Sequence, residues 1–203
     1  GSTGAAASAA GRVTGDDVGM DSLAGRLLVS TPEITDGVFD RSIVLVLAHD
    51  EQSAEGVVIN KPVQAPIDAV LPGWQDGASE PQKVFQGGPV QTDSAVGLVG
   101  VPGDGEPPVG VKRLFGGIGL VDLDAPQESV WPAISALRIF AGYSGWTAPQ
   151  LAGEIERGGW FVCDAEIGDV FDADPATLWR RVLRRQRGVM AWVSTYPEDP
   201  TQN

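Results

Sequence analysis

Apolar residues along this chain fall into short runs separated by glycine, proline and charged residues, which predicts many brief elements. Residues 26–30 (RLLVS) are predicted to form a first strand. Residues 42–48 (SIVLVLA) form a continuous apolar run rich in β-branched side chains, which is typical of a strand buried on both faces. A polar stretch at 50–55 precedes a third strand at 56–59, so residues 41–60 are predicted to form a β-hairpin.

The rest of the pattern mixes short strands with a few helices. Further strands are predicted at residues 83–86, 95–99, 118–123, 138–143, 160–164, 169–171 and 190–195. Helices are predicted at residues 66–71, at 124–137, after Thr147, and from Asp174 to a stop at Gly188, with a proline-rich loop at 101–110. Thr147 and Gln150 have the spacing of a capping box, and Gly158 and Gly159 are placed to end that helix. Clustered strands with segregated helices indicate the α+β class.

With 203 residues, of which 42% are hydrophobic, the chain is long enough for one folded domain, predicted over residues 24–196. Residues 1–23 are alanine-rich and acidic, with few large apolar side chains to offset the cost of ordering. They are therefore expected to be a disordered tail. Residues 197–203 are expected to be a polar tail.

No run approaches the roughly 20 apolar residues of a membrane span. The first residues lack the basic and leucine-rich regions of a signal peptide. Cys163 is the only cysteine, which rules out an intrachain disulfide and fits a reducing compartment. A cytoplasmic protein with no membrane partner is expected.

The charge is strongly negative overall but unevenly distributed. A formal net charge of −13 disfavours nonspecific attraction to nucleic acid or anionic membranes. Five basic residues nevertheless fall on the last predicted helix: Arg180, Arg181, Arg184, Arg185 and Arg187. They are either a solvated face, favourable near a helix C-terminus, or a site for an anionic partner such as nucleic acid. No recognisable helix-turn-helix accompanies them, so the solvated face is the preferred interpretation.

Residues 86–89 (QGGP) follow a predicted strand. Two adjacent glycines allow another backbone or a ligand to approach closely, which suits either a tight structural turn or a ligand cradle. The Lys-Ser/Thr pair of a phosphate-binding loop does not follow. The structural turn is therefore favoured over a cradle formed by Gly87 and Gly88.

His49 is the only histidine, and it ends the second predicted strand. It is either structural or the base of a hydrolase or transferase. The groups that could act with it are Glu154, Ser42, Ser144 and Cys163. No Gly-x-Ser-x-Gly elbow is present. One histidine and one cysteine are too few for the usual zinc sites, so no metal or other cofactor is expected.

The most specific stretch is GYSGWTAPQLAGE, which contains the capped helix start. Tyr143 and Trp146 precede the helix, and Gln150 and Glu154 lie one turn apart on the same helix face. Such a cluster could line a pocket for a small molecule or a peptide. It could equally be a polar brace in which Glu154 caps backbone N–H groups or pairs with Arg41.

Several short blocks occur in a specific joint order. They are GRLLV at 25–29, FDRS at 39–42, VINKP at 58–62, GGPV at 87–90, GYSGW at 142–146 and QLAGE at 150–154, with His49, Gly56 and Trp160. In this order they resemble the YqgE/AlgH family of bacterial proteins. The resemblance implies an α+β fold whose branched, strongly bent, mostly antiparallel sheet contains a small barrel and is surrounded by helices. That family has no established biochemical activity, although some members are described as transcriptional regulators.

Many relatives in that family place a histidine after the strand that follows the Gly-Gly-Pro turn, where this chain reads VGLVG at 96–100. This difference weakens any mechanism that needs two histidines. The sequence favours a noncatalytic ligand- or partner-binding protein, with the His49 enzyme and a nucleic-acid regulator as alternatives. The candidate ligand-binding residues are Arg41, Ser42, His49, Asn60, Gly87, Gly88, Tyr143, Trp146, Gln150 and Glu154.

Overall fold

The structure is a computed structural model that describes residues 22–35, 37–186 and 192–195. Its strands are β1 Arg26–Ser30, β2 Ile43–His49, β3 Ser53–Val58, β4 Pro62–Pro66, β5 Lys83–Gln86, β6 Val90–Gly100, β7 Val111–Phe115, β8 Ile118–Val121, β9 Ala136–Thr147 and β10 Trp160–Asp164. Its α-helices are α1 Gln127–Val130, α2 Ala148–Glu156, α3 Ile167–Val170 and α4 Pro175–Arg184. Single 3₁₀ turns occur at Gly37–Phe39, Ile67–Ala69, Gln75–Gly77 and Trp131–Ala133.

The strands of the described residues form one sheet in the order β10-β1-β2-β3-β9-β6-β8-β7, with β5 also paired to β9 and β4 paired to β5. The β5–β9 pair is parallel and the other described pairs are antiparallel. A largely antiparallel sheet with a few short helices confirms the α+β class.

The long strand β9 organises the sheet. One edge of β9 pairs with β6, and the other pairs first with β5 at residues 139–141 and then with β3 at residues 144–147. The turn after β5 joins these partners, because the N–H of Val58 donates to the carbonyl of Gly87 and the N–H of Gly87 donates to the carbonyl of Ala141. The C-terminal end of β9 therefore continues beyond β5 and leads directly into α2.

Apolar side chains cover both faces of the sheet, as the apolar run at 42–48 predicts. Ile43 and Leu45 of β2 belong to the core beneath α4, whereas Val44 and Val46 belong to the core beneath α2. All four are fully buried. Burying side chains of this size contributes about 1.5–3 kcal/mol each, so β2 anchors the two cores together.

Several predicted elements are wrong in type or length, and the helix expected at 66–71 is only the 3₁₀ turn Ile67–Ala69. The helix expected at 124–137 is only α1 followed by one 3₁₀ turn, because β9 begins at Ala136 and pairs with β6. In place of the strand expected at 169–171, residues 169 and 170 end helix α3, whose capping box joins Glu166 and Asp169. Residues 192–195 of the expected last strand form a helical turn, in which the N–H of Thr195 donates to the carbonyl of Trp192.

Strands β4 and β7 lie in segments for which no strand was expected. Of the predicted tails, residues 1–21 and 197–203 lie outside the described residues, as do Arg187 and Gly188. None of the described helices is long and apolar enough to span a membrane.

Candidate functional site

An open pocket of about 660 Å³ lies where β9 passes into α2. It is named here the Glu154 pocket, and its lining residues are Glu33, Ile34, Phe39, Pro89, Gly145, Trp146, Gln150, Glu154, Arg157, Gly159 and Trp160. These residues come from the segment between β1 and β2, the turn after β5, the end of β9, helix α2, the turn after α2 and the start of β10.

Local sequence signals place both ends of α2 as predicted. The Thr147 hydroxyl accepts a hydrogen bond of 3.1 Å from the N–H of Gln150, which confirms the N-cap. At the other end Gly158 has a φ of +84°, and the N–H of Gly159 donates to the carbonyl of Glu154. The chain turns back there into β10, so the tryptophans just before and just after α2 are brought together.

The carboxylate of Glu154 is held by three side-chain donors. The indole N–H of Trp146 and that of Trp160 both donate to Oε1, at 3.0 and 2.9 Å. The amide of Gln150 donates to Oε2 at 3.2 Å, so this side chain does not complete the predicted capping box. Both indole rings are buried. Their N–H groups would lack partners without Glu154, which therefore fixes the rings and is itself fixed by them.

Three aromatic rings pack beside this carboxylate. The rings of Trp146 and Trp160 meet edge to face with centroids 5.9 Å apart and planes at 87°. Phe39 contacts both, with centroids at 6.2 Å from Trp146 and 5.8 Å from Trp160. Separations of this kind are the favoured ones for aromatic pairs. The pocket thus has an aromatic wall with the Glu154 carboxylate at its edge.

The sequence-predicted site residues separate into two groups. Trp146, Gln150 and Glu154 line the pocket together. Arg41 does not reach Glu154, because its guanidinium lies 4.1 Å above the ring centre of Trp179. The other predicted residues that lie elsewhere are Ser42, His49, Asn60, Gly87, Gly88 and Tyr143.

Asn60 and Ser42 make backbone contacts typical of structural residues. The Asn60 side chain accepts from the N–H of Ile43 at 3.1 Å and donates to the carbonyl of Arg41 at 3.0 Å. The Ser42 hydroxyl donates to the carbonyl of Phe39 at 2.9 Å. Both side chains are buried, and their contacts position the turn that carries Phe39.

The Gly-Gly turn is packed against the backbone of β9. A Cβ atom on Gly87 would lie 2.5 Å from the carbonyl oxygen of Gly142, and one on Gly88 would lie 2.2 Å from that of Tyr143. The Ser144 hydroxyl also donates to the carbonyl of Gly87 at 3.0 Å. Protein backbone therefore occupies the space that the absent side chains leave, as the structural-turn interpretation requires.

His49 has a partner in the N-terminal segment. Its Nδ1 accepts from the N–H of Leu23 at 2.8 Å, and Leu23 packs against the core beneath α2. Burial lowers the pKa of His49, and the charge of Asp50 opposes this shift. Within the described part of the chain, His49 makes no hydrogen bond to a carboxylate or hydroxyl group.

The Cys163 thiol is buried in β10. Burial raises the pKa of this thiol to about 11, and nearby Arg185 and Arg26 offset only part of the shift. A thiol in this environment is protonated at neutral pH and is not a nucleophile. No group of three or more potential metal-ligating His, Cys, Asp or Glu side chains occurs among the described residues.

The arginines of α4 contact other parts of the fold. Arg181 donates two hydrogen bonds to Asp172, at 3.0 and 2.7 Å, and Arg185 donates two to Asp169, at 2.8 and 2.6 Å. Arg180 donates to the carbonyl of Ser194. These contacts attach α4 to the residues on either side of it. The exposed arginine Arg184 remains on the solvent face of the helix.

Several residues of the site were not among the sequence candidates. They include Glu33, Ile34, Phe39, Arg157 and Trp160. Trp160 directly follows the glycines that end α2. Its proximity to Trp146 could therefore have been predicted from the sequence. Phe39 and Glu33 lie far from α2 in sequence, and no local pattern links them to it.

A family model described as AlgH-like matches residues 27–191. A UPF0301 protein of Streptomyces coelicolor is 53% identical over 187 residues, which cover 91% of this chain and 97% of the relative. A UPF0301 protein of Mycobacterium leprae is 40% identical over 184 residues, covering 89% and 90%. These names state no biochemical activity.

Two solved structures have the same fold. A crystal structure of a Corynebacterium diphtheriae protein has a TM-score of 0.80 and 32% identity, covering 85% of this chain and 91% of that one. The solution structure of the AlgH protein from Pseudomonas aeruginosa has a TM-score of 0.63 and 24% identity, covering 86% and 94%.

Proposed function

The chain belongs to the AlgH-like family, and we propose that it acts as a noncatalytic binding protein that takes a small molecule or a peptide group into the Glu154 pocket. One observation carries the proposal: an oriented carboxylate and three aromatic rings border the same solvent-open pocket. Ligand pockets commonly measure about 300–1,000 Å³ and combine apolar walls with a few placed polar groups.

The composition of the pocket favours binding over catalysis. The described lining residues include no serine, threonine, cysteine, histidine or tyrosine, so a nucleophile beside a base is missing from the set. Glu154 is the oriented acid, and both its oxygens already accept hydrogen bonds from Trp146, Trp160 and Gln150. A carboxylate used in this way serves recognition better than proton transfer.

The test is a fragment screen followed through the tryptophan side-chain N–H signals by NMR. A bound fragment is expected to shift the indole signals of Trp146 and Trp160. The indole of Trp179 is an internal control, because it donates to the carbonyl of Ser30 in the core beneath α4. The library contains amines, carboxylates, sugars, nucleotides and short peptides. If none of its binders shifts the indole signals of Trp146 and Trp160, the proposal is refuted.

A pair of matched variants separates pocket binding from a general effect. Phe39→Leu removes one ring of the pocket wall. It is expected to weaken the binding of those fragments that shift the indole signals of the two tryptophans. Phe115→Leu makes the same change at another half-buried phenylalanine outside the pocket. Equal weakening by both variants would contradict binding at this site.

A further inference from the structure

The charge of Glu154 lacks a cationic partner among the residues that the structure describes. Its three hydrogen-bond donors, Trp146, Trp160 and Gln150, are all neutral side chains. Among the described residues, no lysine or arginine forms an ion pair with it. Neutral donors orient the carboxylate and leave its negative charge to be matched from outside.

The aromatic rings beside Glu154 favour the same type of partner. The faces of Trp, Tyr and Phe rings attract cations placed within about 6 Å of the ring centre, and Trp attracts them best. Phe39, Trp146 and Trp160 all line the pocket, in mutually inclined orientations. A group inside the pocket can therefore face an aromatic ring while it approaches the carboxylate.

The charged residues of the lining are Glu33, Glu154 and Arg157, which together give the pocket one net negative charge. The guanidinium of Arg157 bends back along α2, since its Nη1 would lie 3.1 Å from a Cβ on Gly153. The whole chain has a formal net charge of −13, which attracts cations over longer distances.

We infer that the group bound in the Glu154 pocket is an alkylammonium or guanidinium cation; this inference rests on the proposed binding function. An anionic group would be repelled by both acidic side chains. A neutral group would desolvate the Glu154 carboxylate without supplying an opposite charge. The cation belongs either to a free amine or guanidine or to a lysine or arginine side chain of a peptide.

Calorimetric titrations with defined probes test the charge preference. The probes are butyltrimethylammonium, butylguanidinium, butyrate, and a capped tripeptide with a central arginine or, as its neutral match, citrulline. We expect both cations and the arginine peptide to bind. We expect the citrulline peptide to bind at least about tenfold more weakly than the arginine peptide, since a charge-assisted hydrogen bond is about twice as strong as a neutral one. We expect butyrate not to bind.

The same titrations identify the source of the cation. An arginine peptide that binds about as tightly as butylguanidinium indicates a free small molecule. A peptide that binds much more tightly indicates that flanking backbone is recognised as well. Either result supports the inference. Equal affinity for the arginine and citrulline peptides overturns it.

Two substitutions of charged lining residues predict opposite changes. Glu154→Gln keeps an oxygen that accepts from the indole N–H groups. It is expected to lower the affinity for butylguanidinium about tenfold. Arg157→Gln removes a repulsive charge and is expected to strengthen binding several-fold. Glu156→Gln, on the same helix but outside the lining, is the control. Weaker binding of butylguanidinium to Arg157→Gln would contradict the inferred charge preference.

The outcomes also separate this inference from the binding function on which it rests. Neutral or anionic fragments that shift the indole signals of Trp146 and Trp160 would preserve the pocket and overturn only the charge preference. Fragments of every class that leave these signals unchanged would overturn both.

Discussion

The indole rings of Trp146 and Trp160 lie edge to face 5.9 Å apart, and both N–H groups donate to one oxygen of Glu154. Trp146 is the next-to-last residue of β9 and Trp160 is the first residue of β10, so helix α2 separates them in sequence. The cap at Thr147 and the turn at Gly158 hold α2 to the length that makes this contact possible. The pocket wall is therefore a direct product of how this helix begins and ends.

Glu154→Leu is expected to reduce the free energy of unfolding by about 2–4 kcal/mol, because two buried indole N–H groups lose their acceptor. Glu154→Gln should cost much less, since its amide oxygen still accepts. Urea unfolding monitored by circular dichroism measures both. Glu156→Leu, at an exposed position of the same helix, should change stability by less than about 0.5 kcal/mol. Similar losses for Glu154→Leu and Glu156→Leu would show that the indole contacts contribute little.

Gly88→Ala is expected to destabilise the fold by about 3 kcal/mol or more, because the added Cβ would lie 2.2 Å from a backbone oxygen of β9. Gly105→Ala is the matched control, since no heavy atom lies within 4 Å of the position of its Cβ. Thermal unfolding of the two variants makes the comparison. A Gly88→Ala protein as stable as the control would favour the ligand-cradle interpretation of this turn.

Arg138→Ala is expected to cost about 3–5 kcal/mol, because this fully buried arginine donates to four backbone carbonyls and stacks 4.3 Å from the ring centre of Phe85. Burial lowers its pKa to about 10, so the side chain remains charged at neutral pH. Arg184→Ala, at an exposed arginine, should be nearly neutral. Chemical denaturation of both variants tests this, and equal midpoints would contradict it.

His49 is expected to make stability depend on pH below about 6.5. Burial lowers its pKa in the folded state from 6.5, so the unfolded chain takes up the proton more readily. The stabilising contribution is complete above pH 6.5 and is lost as the pH falls through the lower folded-state pKa. Protonation also removes the Nδ1 acceptor for the N–H of Leu23. His49→Asn supplies an acceptor that does not titrate, and the difference in stability between the two proteins should be constant above pH 6.5 and change below it. Parallel profiles from pH 5 to 8 would rule out this role.

The arginines of α4 are expected not to support duplex DNA binding at about 0.15 M salt. Arg181 and Arg185 already form two-point ion pairs with Asp172 and Asp169, and 27 acidic residues repel phosphate. Fluorescence anisotropy with a labelled duplex checks this. Arg184→Ala is the appropriate variant, because it leaves those ion pairs in place. Tight, salt-sensitive binding that this variant abolishes would contradict the expectation.

Several elements could be predicted from sequence because their signals are local. The apolar run of β2 is long enough to specify a strand buried on both faces, and the polar turn after it leads to β3. Thr147, Gly158 and Gly159 act on neighbouring backbone groups, so the two ends of α2 follow from a few adjacent residues. The joint order of the short blocks, from GRLLV to QLAGE, was also sufficient to identify the family.

Only the tertiary structure decided the elements whose local preference is weak. Residues 124–137 have an acceptable helical pattern, yet Ala136 and Leu137 gain more by extending β9 against β6. Residues 169 and 170 became part of helix α3 because Glu166 and Asp169 cap it reciprocally. Propensity differences between helix and strand are about 1 kcal/mol or less per residue, so strand pairing and capping outweigh them.

The candidate site divides in the same way. Trp146, Gln150 and Glu154 were identified from sequence because one helix start places them together. Phe39 reaches the same pocket through the packing of a segment that is distant in sequence, and Arg41 stacks on Trp179 instead of pairing with Glu154. Sequence specified the residue types and their local spacing. Which side chains meet depended on long-range packing, because a contact between segments is set by how the sheet brings them together.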